Sequence, residues 1–131
     1  MQFIDLQEQY RRYQPQIDGR MRTVMDHGHF IMGPEVAECE QALASYAGVK
    51  HAITVASGTH SLEIALRAWG IGPGDEVITV PFTWISSAEA IGLVGAKPVL
   101  VDIDPLDYNI NAAKIEAAIT THTRAMMPVS L

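Results

Sequence analysis

The chain of 131 residues is 48% hydrophobic and 18% charged, a balance typical of a folded domain with a hydrophobic core and not of a disordered chain. Nine Lys and Arg against fifteen Asp and Glu give a net charge of −6 without a basic stripe, which argues against nucleic acid as a partner. No apolar run approaches the roughly 20 residues of a membrane span, no signal-peptide core is present and Cys39 is the single cysteine, so we expect a reducing cytoplasm.

Two helices are predicted before any strand. Residues 5–26 mix polar and apolar side chains around Pro15, which predicts a helix that bends or restarts there. The stretch HGHFIMGPEV then interrupts the pattern, and Pro34 suits the first turn of a second helix over 34–47. Apolar residues recur on this helix at steps of three and four, which predicts one buried face and a core role for its cysteine rather than a reactive thiol. The predicted face consists of Val36, Cys39, Leu43 and Tyr46.

From His51 onward, short apolar strands alternate with helical patterns. The strand-like segments are HAITVA, EVITV, KPVLVDI and RAMMPVSL, and the helical patterns lie near 59–69, 85–94 and 111–119. This alternation predicts a parallel sheet with right-handed crossovers, and the continuously apolar strands predict helices on both faces. The last strand has no crossover helix after it, so we expect these residues to belong to a larger fold or to be covered by other chains.

The first predicted strand leads into Ser57, Gly58 and Thr59, at the strand end where ligands of parallel sheets collect. Gly58 permits a close approach, a hydroxyl of Ser57 or Thr59 can cap the helix, and the N–H groups of residues 59–61 point outward at its positive end. These features suit a phosphate or carboxylate, although the tripeptide alone favours a plain capped turn. Neither G-x-G-x-x-G nor G-x-x-x-x-G-K-[ST] occurs, which disfavours a plain nucleotide-binding domain.

The second strand ends in VPFTWISSAEA, which puts Trp84 at a neighbouring strand exit. An indole there could stack on a flat heteroaromatic ligand, although a lone tryptophan more often packs in a core. Together, the anion corner and the aromatic platform predict a planar phosphorylated cofactor. No metal site is predicted, because Asp102 and Asp104 lack a third ligand nearby, Asp104 before Pro105 is typical of a turn, and the histidines are scattered.

Longer segments carry a resemblance to one family. HGHFIMGPEV, ASGTHSLEIAL, GIGPGDEVITVPFTWISSAEAI and GAKPVLVDIDPLDYNI occur in the order, and near the spacing, of the DegT/StrS family of pyridoxal-phosphate sugar aminotransferases. The resemblance covers essentially the whole chain. It implies an α/β fold, namely the incomplete parallel-sheet core of the large domain of fold type I, the aspartate aminotransferase type, preceded by N-terminal helices. It further implies a helix and substrate-side loop over 1–33 and the first part of the cofactor-binding domain over 34–131.

The resemblance also implies roles for individual residues. Thr59 and His60, with Gly58 shaping the turn, match the positions that hold the phosphate of pyridoxal 5'-phosphate, and Trp84 matches the aromatic residue stacked on its ring. His60 stands where small or acidic residues are common in the family. The residues that match a segment near the nucleotide-sugar substrate are Phe30, Met32 and Gly33.

The activity implied by the resemblance is transfer of an amino group, usually from glutamate, to a keto nucleotide-sugar in polysaccharide or amino-sugar biosynthesis, by a homodimer. The family's ring-pairing Asp and its Schiff-base lysine lie downstream of this sequence, so we expect no catalytic residue in the 131 residues and no activity from them alone. Two alternatives stay open. One is a sugar dehydratase of the same family, in which histidine replaces the lysine, and the other is a non-catalytic half-domain that binds a phosphorylated ligand or oligomerises.

Overall fold

The computed structural model describes residues 4–131, which contacts within the chain divide into two compact units between Thr54 and Val55. The first unit contains two helices, α1 over Leu6–His27 and α2 over Pro34–Ala47. The elements of the second unit are, in chain order, α3 Gly58–Ala68, β1 Glu76–Thr79, α4 Ser86–Leu93, β2 Lys97–Leu100, α5 Ala112–Ala118 and β3 Thr123–Met126. The predicted mixed α/β class, with helices first, is confirmed.

The three strands form one parallel sheet in the order β2, β1, β3. Val77 of β1 lies opposite Pro98 of β2 on one side and Ala125 of β3 on the other. Pro98 lacks an N–H group and lies, as prolines in sheets usually do, on an edge strand of the described sheet. A helix joins each strand to the next, as the alternation predicted.

The core of the second unit lies where α3 and α4 pack beside β1. Val77 and Ile91 have no exposed surface, and the cluster around them consists of Leu66, Ile71, Ala90, Val94 and Ala96. The burial predicted for every strand holds only for β1. Leu100 of β2 and Met126 of β3 are more than half exposed, because no described element covers them.

Residues 51–56 were predicted as a strand, and this prediction was wrong for the described chain. They are extended but join no sheet, and the Ile53 side chain is 80% exposed. A strand needs a neighbour that supplies ladder hydrogen bonds, and none of the described strands lies beside this segment. Instead, Oε1 of Glu40 on α2 accepts hydrogen bonds from the N–H and the hydroxyl of Thr54, at 2.8 and 2.9 Å.

The predicted buried face of α2 was also wrong. Cys39 is exposed and is not a core residue, and Tyr46 is 93% exposed. The periodicity identifies an apolar stripe, but burial requires an element packed against it, and neither α1 nor α2 buries any residue within the described chain. The contacts between these helices include an ion pair of 2.6 Å between Arg20 and Glu38.

Helix α1 is one uninterrupted helix, so it does not restart at Pro15. It begins after Asp5, whose carboxylate accepts the N–H of Glu8 at 2.9 Å, and it ends at Gly28, which adopts the left-handed conformation that favours glycine. The first three residues of the predicted 1–33 segment lie outside the described residues. Among residues 4–131, no helix is both long enough and apolar enough to cross a bilayer.

Candidate functional site

The predicted anion corner lies at the N-terminus of α3. The hydroxyl of Ser57 caps the helix by accepting the N–H of His60 at 3.2 Å, and the carbonyl of Ser57 accepts the N–H of Ser61 at 3.1 Å. The prediction that the N–H groups of residues 59–61 are all available is therefore wrong for the last two. Within residues 4–131, the N–H groups of Gly58 and Thr59 donate to no other atom.

The space beside this turn is open. A Cβ atom added to Gly58 would meet no heavy atom within 4 Å, so a ligand can approach the backbone closely. The partial positive charge of the α3 N-terminus favours an anion there. His60 is exposed next to the two available N–H groups, and its imidazole makes no hydrogen bond to any described residue. The corner therefore offers donors and positive potential to an anionic group.

The corner is joined to the loop that follows β1. The hydroxyl of half-buried Thr59 donates to the hydroxyl of Ser86, the first residue of α4, at 3.1 Å, and the hydroxyl of Thr83 on the loop lies 3.5 Å from that of Ser87 on α4. A hydroxyl that accepts one hydrogen bond still has its own proton to donate. Of these two hydroxyls, that of Ser86 therefore has the proton that is free for a ligand.

Trp84 lies on this loop two residues before Ser86, and its side chain is 80% exposed. The alternative of a core tryptophan is thus wrong within the described chain. The exposed indole face is available to a planar ligand, whereas an aromatic residue already packed in a core is not. The structure brings Gly58, Thr59 and the Trp84 loop to one edge of the sheet, as the predicted site requires.

A second aromatic contact near this edge was not predicted. The rings of Phe82 and Tyr108 lie 5.4 Å apart between centroids, with an angle of 35° between their planes. Tyr108 has a φ of 62°, which is uncommon for a bulky residue, in a tight loop closed by its N–H donating to the carbonyl of Asp104 at 2.9 Å. No sequence signal pairs residues 82 and 108, because their contact depends on two loops that meet in space.

The two aspartates of VDIDP have structural partners. Lys114 donates to Asp102 at 3.0 Å, and this hydrogen bond, followed by that of the Ile103 N–H, holds the pKa of Asp102 below its ordinary value. The carboxylate of Asp104 accepts the N–H of Leu106 at 2.9 Å, which confirms its predicted role in a turn. No group of three or more metal-ligating side chains occurs among the residues that the structure describes.

The predicted substrate-side residues lie in the first unit, on the loop between α1 and α2. Phe30 and Met32 are 67% and 78% exposed, and Ile31 between them is 88% exposed. Met32 has a φ of 52°, whereas Gly33 is buried at the start of α2. The loop therefore presents three consecutive apolar side chains on a strained backbone.

Comparisons with known proteins agree with these observations. The model of the DegT/DnrJ/EryC1/StrS aminotransferase family matches residues 12–131. The UDP-2-acetamido-2-deoxy-3-oxo-D-glucuronate aminotransferase of Pseudomonas aeruginosa is 50% identical over all 131 residues, which correspond to 36% of its length. The chain thus spans about a third of this relative.

Solved structures of larger proteins share the fold. A DegT DnrJ EryC1 StrS aminotransferase from Brucella abortus is 43% identical, with a TM-score of 0.90 over 98% of this chain and 36% of that one. NtdA from Bacillus subtilis, solved with bound cofactor PMP, is 35% identical, with a TM-score of 0.83 over 86% of this chain and 26% of that one. As its motifs predicted, the chain belongs to the DegT/DnrJ/EryC1/StrS aminotransferase family.

Proposed function

We propose that these residues are the N-terminal part of a pyridoxal-phosphate-dependent aminotransferase that acts on a keto nucleotide-sugar in polysaccharide or amino-sugar biosynthesis. Glutamate would lose its amino group and become 2-oxoglutarate, and the sugar carbonyl would become an amine. The observation that carries the proposal is the Thr59–Ser86 hydrogen bond, which joins the N-terminal turns of α3 and α4 in a member of this family. The name of the Pseudomonas aeruginosa relative supports the substrate class.

The donor set of the corner suits the phosphate of pyridoxal 5'-phosphate. Phosphate oxygens accept several hydrogen bonds, and the corner offers the N–H groups of Gly58 and Thr59 together with the hydroxyl of Ser86, which the Thr59 hydroxyl orients. His60 would lie beside the same phosphate. The cofactor named for NtdA, PMP, supports this class of group.

When bound, pyridoxal 5'-phosphate supplies an electron sink for amino transfer. In our proposal Thr59, His60 and the Gly58 turn anchor its phosphate, which fixes the position of the ring. Trp84, whose indole is exposed, would cover one face of the ring and keep water from that face. These residues bind and orient the cofactor, and none of them carries a proton for the reaction.

The lysines of the chain support our expectation that the 131 residues alone are inactive. Lys97 lies 2.9 Å from Glu76 and Lys114 lies 3.0 Å from Asp102, so both amines are held by carboxylates. Lys50 lies in the first unit, just after α2. None of the three matches the lysine motif of the family, so we expect the lysine that holds the cofactor to come from residues outside this sequence.

The proposal extends to the substrate-side loop and to the assembly of the full-length protein. The loop carrying Phe30, Met32 and Gly33 would contact the nucleotide-sugar, so residues 1–33 form a helix and substrate-side loop, and residues 34–131 begin the cofactor-binding domain. The full-length protein would act as a homodimer in the cytoplasm, with glutamate as its amino-acid donor. The two alternatives, a dehydratase and a non-catalytic half-domain, remain outcomes of the test.

The test uses the purified full-length protein with added cofactor, glutamate and a panel of keto nucleotide-sugars. We expect 2-oxoglutarate and an amino sugar in equal amounts, measured by mass spectrometry, and no product from the 131 residues alone. Loss of a sugar hydroxyl without formation of 2-oxoglutarate would instead identify a dehydratase. Cofactor binding without any turnover would favour the non-catalytic reading and contradict the proposal.

A further inference from the structure

We propose that His27 and Glu35 form a positioning pair that fixes the 28–33 loop and thereby sets the affinity of the protein for its nucleotide-sugar. The proposal rests on the proposed function only for the identity of what the loop contacts. Neither residue touches the cofactor corner in our assignment. The pair is a positioning device and not part of the amino-transfer chemistry.

The pair joins the two ends of the loop. His27 is the last residue of α1 and Glu35 lies in the first turn of α2, with Nε2 of the imidazole 3.2 Å from both carboxylate oxygens. Both side chains are about three-quarters buried, at 26% and 22% exposure. The neighbouring Arg20–Glu38 pair, which joins the same helices, is 63% and 54% exposed. Water therefore competes far less for the His27–Glu35 contact.

Both nitrogens of His27 have assigned roles. The backbone N–H of His29 donates to Nδ1 at 3.0 Å, so Nδ1 has to carry a lone pair. The proton of the neutral ring is then on Nε2, which donates it to Glu35. The other groups facing this pair are the His29 ring, at 5.4 Å between centroids, and the Arg20 guanidinium on α1. One imidazole thus connects the loop backbone to α2.

Glu35 is well suited to accept this proton. The pKa of its carboxyl is lowered, first by a hydrogen bond from its own backbone N–H and then by the hydrogen bond from His27. The carboxylate therefore stays charged at neutral pH. The pair persists under the conditions in which the enzyme would work.

The loop needs such an anchor because its backbone is strained. Met32 has a left-handed φ of 52°, a conformation that persists in a residue with a side chain only where the surroundings hold it. A Cβ atom at Gly33 would collide with the backbone oxygen of His29, so the loop folds closely on itself. The N–H of Phe30 also donates to the carbonyl of Gly28 at 3.1 Å. A loop held this tightly presents its side chains in one arrangement.

The side chains that it presents are Phe30, Ile31 and Met32, each at least two-thirds exposed. Consecutive exposed apolar residues on a fixed loop mark a contact surface. In the proposed function that contact is the nucleotide-sugar, whose base and sugar ring both have apolar faces. Because the loop is already ordered before binding, less conformational entropy is lost when the ligand binds, and the affinity is higher.

The experiment compares His27→Ala and Glu35→Ala with Glu35→Gln and Glu38→Ala in the full-length holoenzyme. The first two remove the pair, Glu35→Gln keeps an oxygen that accepts the Nε2 proton, and Glu38→Ala breaks the exposed pair between the same helices. For His27→Ala and Glu35→Ala we expect a rise of about ten-fold in KM for the nucleotide-sugar, consistent with the loss of one hydrogen bond to a charged group. The reaction of the bound cofactor with glutamate alone, followed by absorbance, should not change. Glu35→Gln and Glu38→Ala should both stay near wild type.

Hydrogen exchange without substrate separates this proposal from the proposed function. In the wild type, we expect the His29 N–H to exchange slowly and the nitrogen NMR spectrum of the His27 ring to show its proton on Nε2. In His27→Ala, we expect the His29 N–H to exchange about ten-fold faster or more. An unchanged exchange rate of the His29 N–H in His27→Ala would contradict the proposed role of the pair. So would a KM of Glu35→Gln that rises as much as that of Glu35→Ala. Faster exchange with an unchanged KM would overturn its link to substrate affinity. A wild-type protein that transfers an amino group to no nucleotide-sugar would overturn the proposed function. The exchange rate of the His29 N–H would still show whether the His27–Glu35 pair holds the loop.

Discussion

The hydroxyl of Thr59 donates a 3.1 Å hydrogen bond to the hydroxyl of Ser86, which lies 27 residues further along the chain. The bond connects the first turns of α3 and α4, of which α4 follows the central strand β1. Because Ser86 accepts from Thr59, its own proton is available to another acceptor, and hydrogen bonds in such a chain strengthen one another.

Thr59→Val should weaken binding of pyridoxal 5'-phosphate to the full-length apoprotein by about ten-fold, because the Ser86 hydroxyl loses the donor that directs its own proton toward the phosphate. A hydrogen bond to a charged group contributes about 1.5–3 kcal/mol. Valine keeps the shape of threonine but has no hydroxyl to donate to Ser86. The measurement is an absorbance titration with cofactor. Ser61→Ala is the control, since that hydroxyl already donates to the carbonyl of Gly58 at 2.6 Å. Equal affinity of Thr59→Val and wild type would remove Thr59 from the phosphate site.

Trp84→Ala should weaken cofactor binding by about three- to ten-fold, because an aromatic pair contributes about 0.5–1.5 kcal/mol beyond the area it buries. Trp84→Phe keeps a stacking ring and should retain most of the affinity. Trp69 provides the control, since it is also exposed, at 74%, and lies at the C-terminal end of α3. Cofactor should quench the fluorescence of Trp69→Phe, where Trp84 remains, but not that of Trp84→Phe. Strong quenching in Trp84→Phe would place the indole away from the ring.

Features set by neighbouring residues were predictable from the sequence. Helix α2 begins and ends where predicted, because Pro34 occupies its first position and Gly48 ends it in the left-handed conformation. The turn at Ser57 and Gly58 was predictable for the same reason, since a capping hydroxyl and a small residue act over one helical turn. The alternation of strands and helices likewise predicted the parallel sheet.

Features that depend on distant residues were not predictable. HAITVA has strand propensity, but a strand forms only beside a partner, and Ile53 has none among the described residues. The stripe on α2 has helical periodicity, yet Tyr46 is exposed because nothing described packs over it. The sequence predicts Thr59 and Ser86 at the starts of two helices, but only the folded chain shows that their hydroxyls are hydrogen-bonded.

Glu76→Gln should lower stability at neutral pH and reduce its loss in acid. Glu76 is nearly buried, and the hydrogen bond from Thr120 at 2.6 Å, followed by that from Lys97 at 2.9 Å, holds its pKa below the ordinary value. Since the folded pKa is the lower one, this carboxylate contributes stability that is fully present above the unfolded pKa of about 4.3 and is lost as pH falls through the folded pKa.

Urea unfolding at a series of pH values from neutral to about pH 3 checks this prediction, and the Glu76→Gln curve should be flatter in the acid range. Glu116→Gln is the control, because Glu116 is exposed on α5 and its side chain makes no ion pair among residues 4–131. If the free energy of unfolding depends on pH in the same way in Glu76→Gln and the wild type, the Glu76 carboxylate does not contribute to stability through these hydrogen bonds.

Pro15→Ala should stabilise α1. Pro15 lies inside this helix of 22 residues, where a proline lacks the N–H for an intrahelical hydrogen bond and crowds the preceding turn, at a cost of about 3 kcal/mol. Gly19→Ala, one turn later, is the matched comparison. Its new Cβ would meet no heavy atom within 4 Å, so we expect a gain of about 0.5–1 kcal/mol from helix propensity alone.

Thermal unfolding followed by far-ultraviolet circular dichroism measures both changes, and the gain from Pro15→Ala should exceed that from Gly19→Ala. This order follows because the proline removes a hydrogen bond, whereas the glycine adds only backbone entropy to the unfolded state. A loss of stability in Pro15→Ala with a gain in Gly19→Ala would mean that the proline ring packs against residues outside the described helix. In that case the exposed apolar stripe of α1, which includes Tyr13 and Ile17, would be covered in the full-length protein.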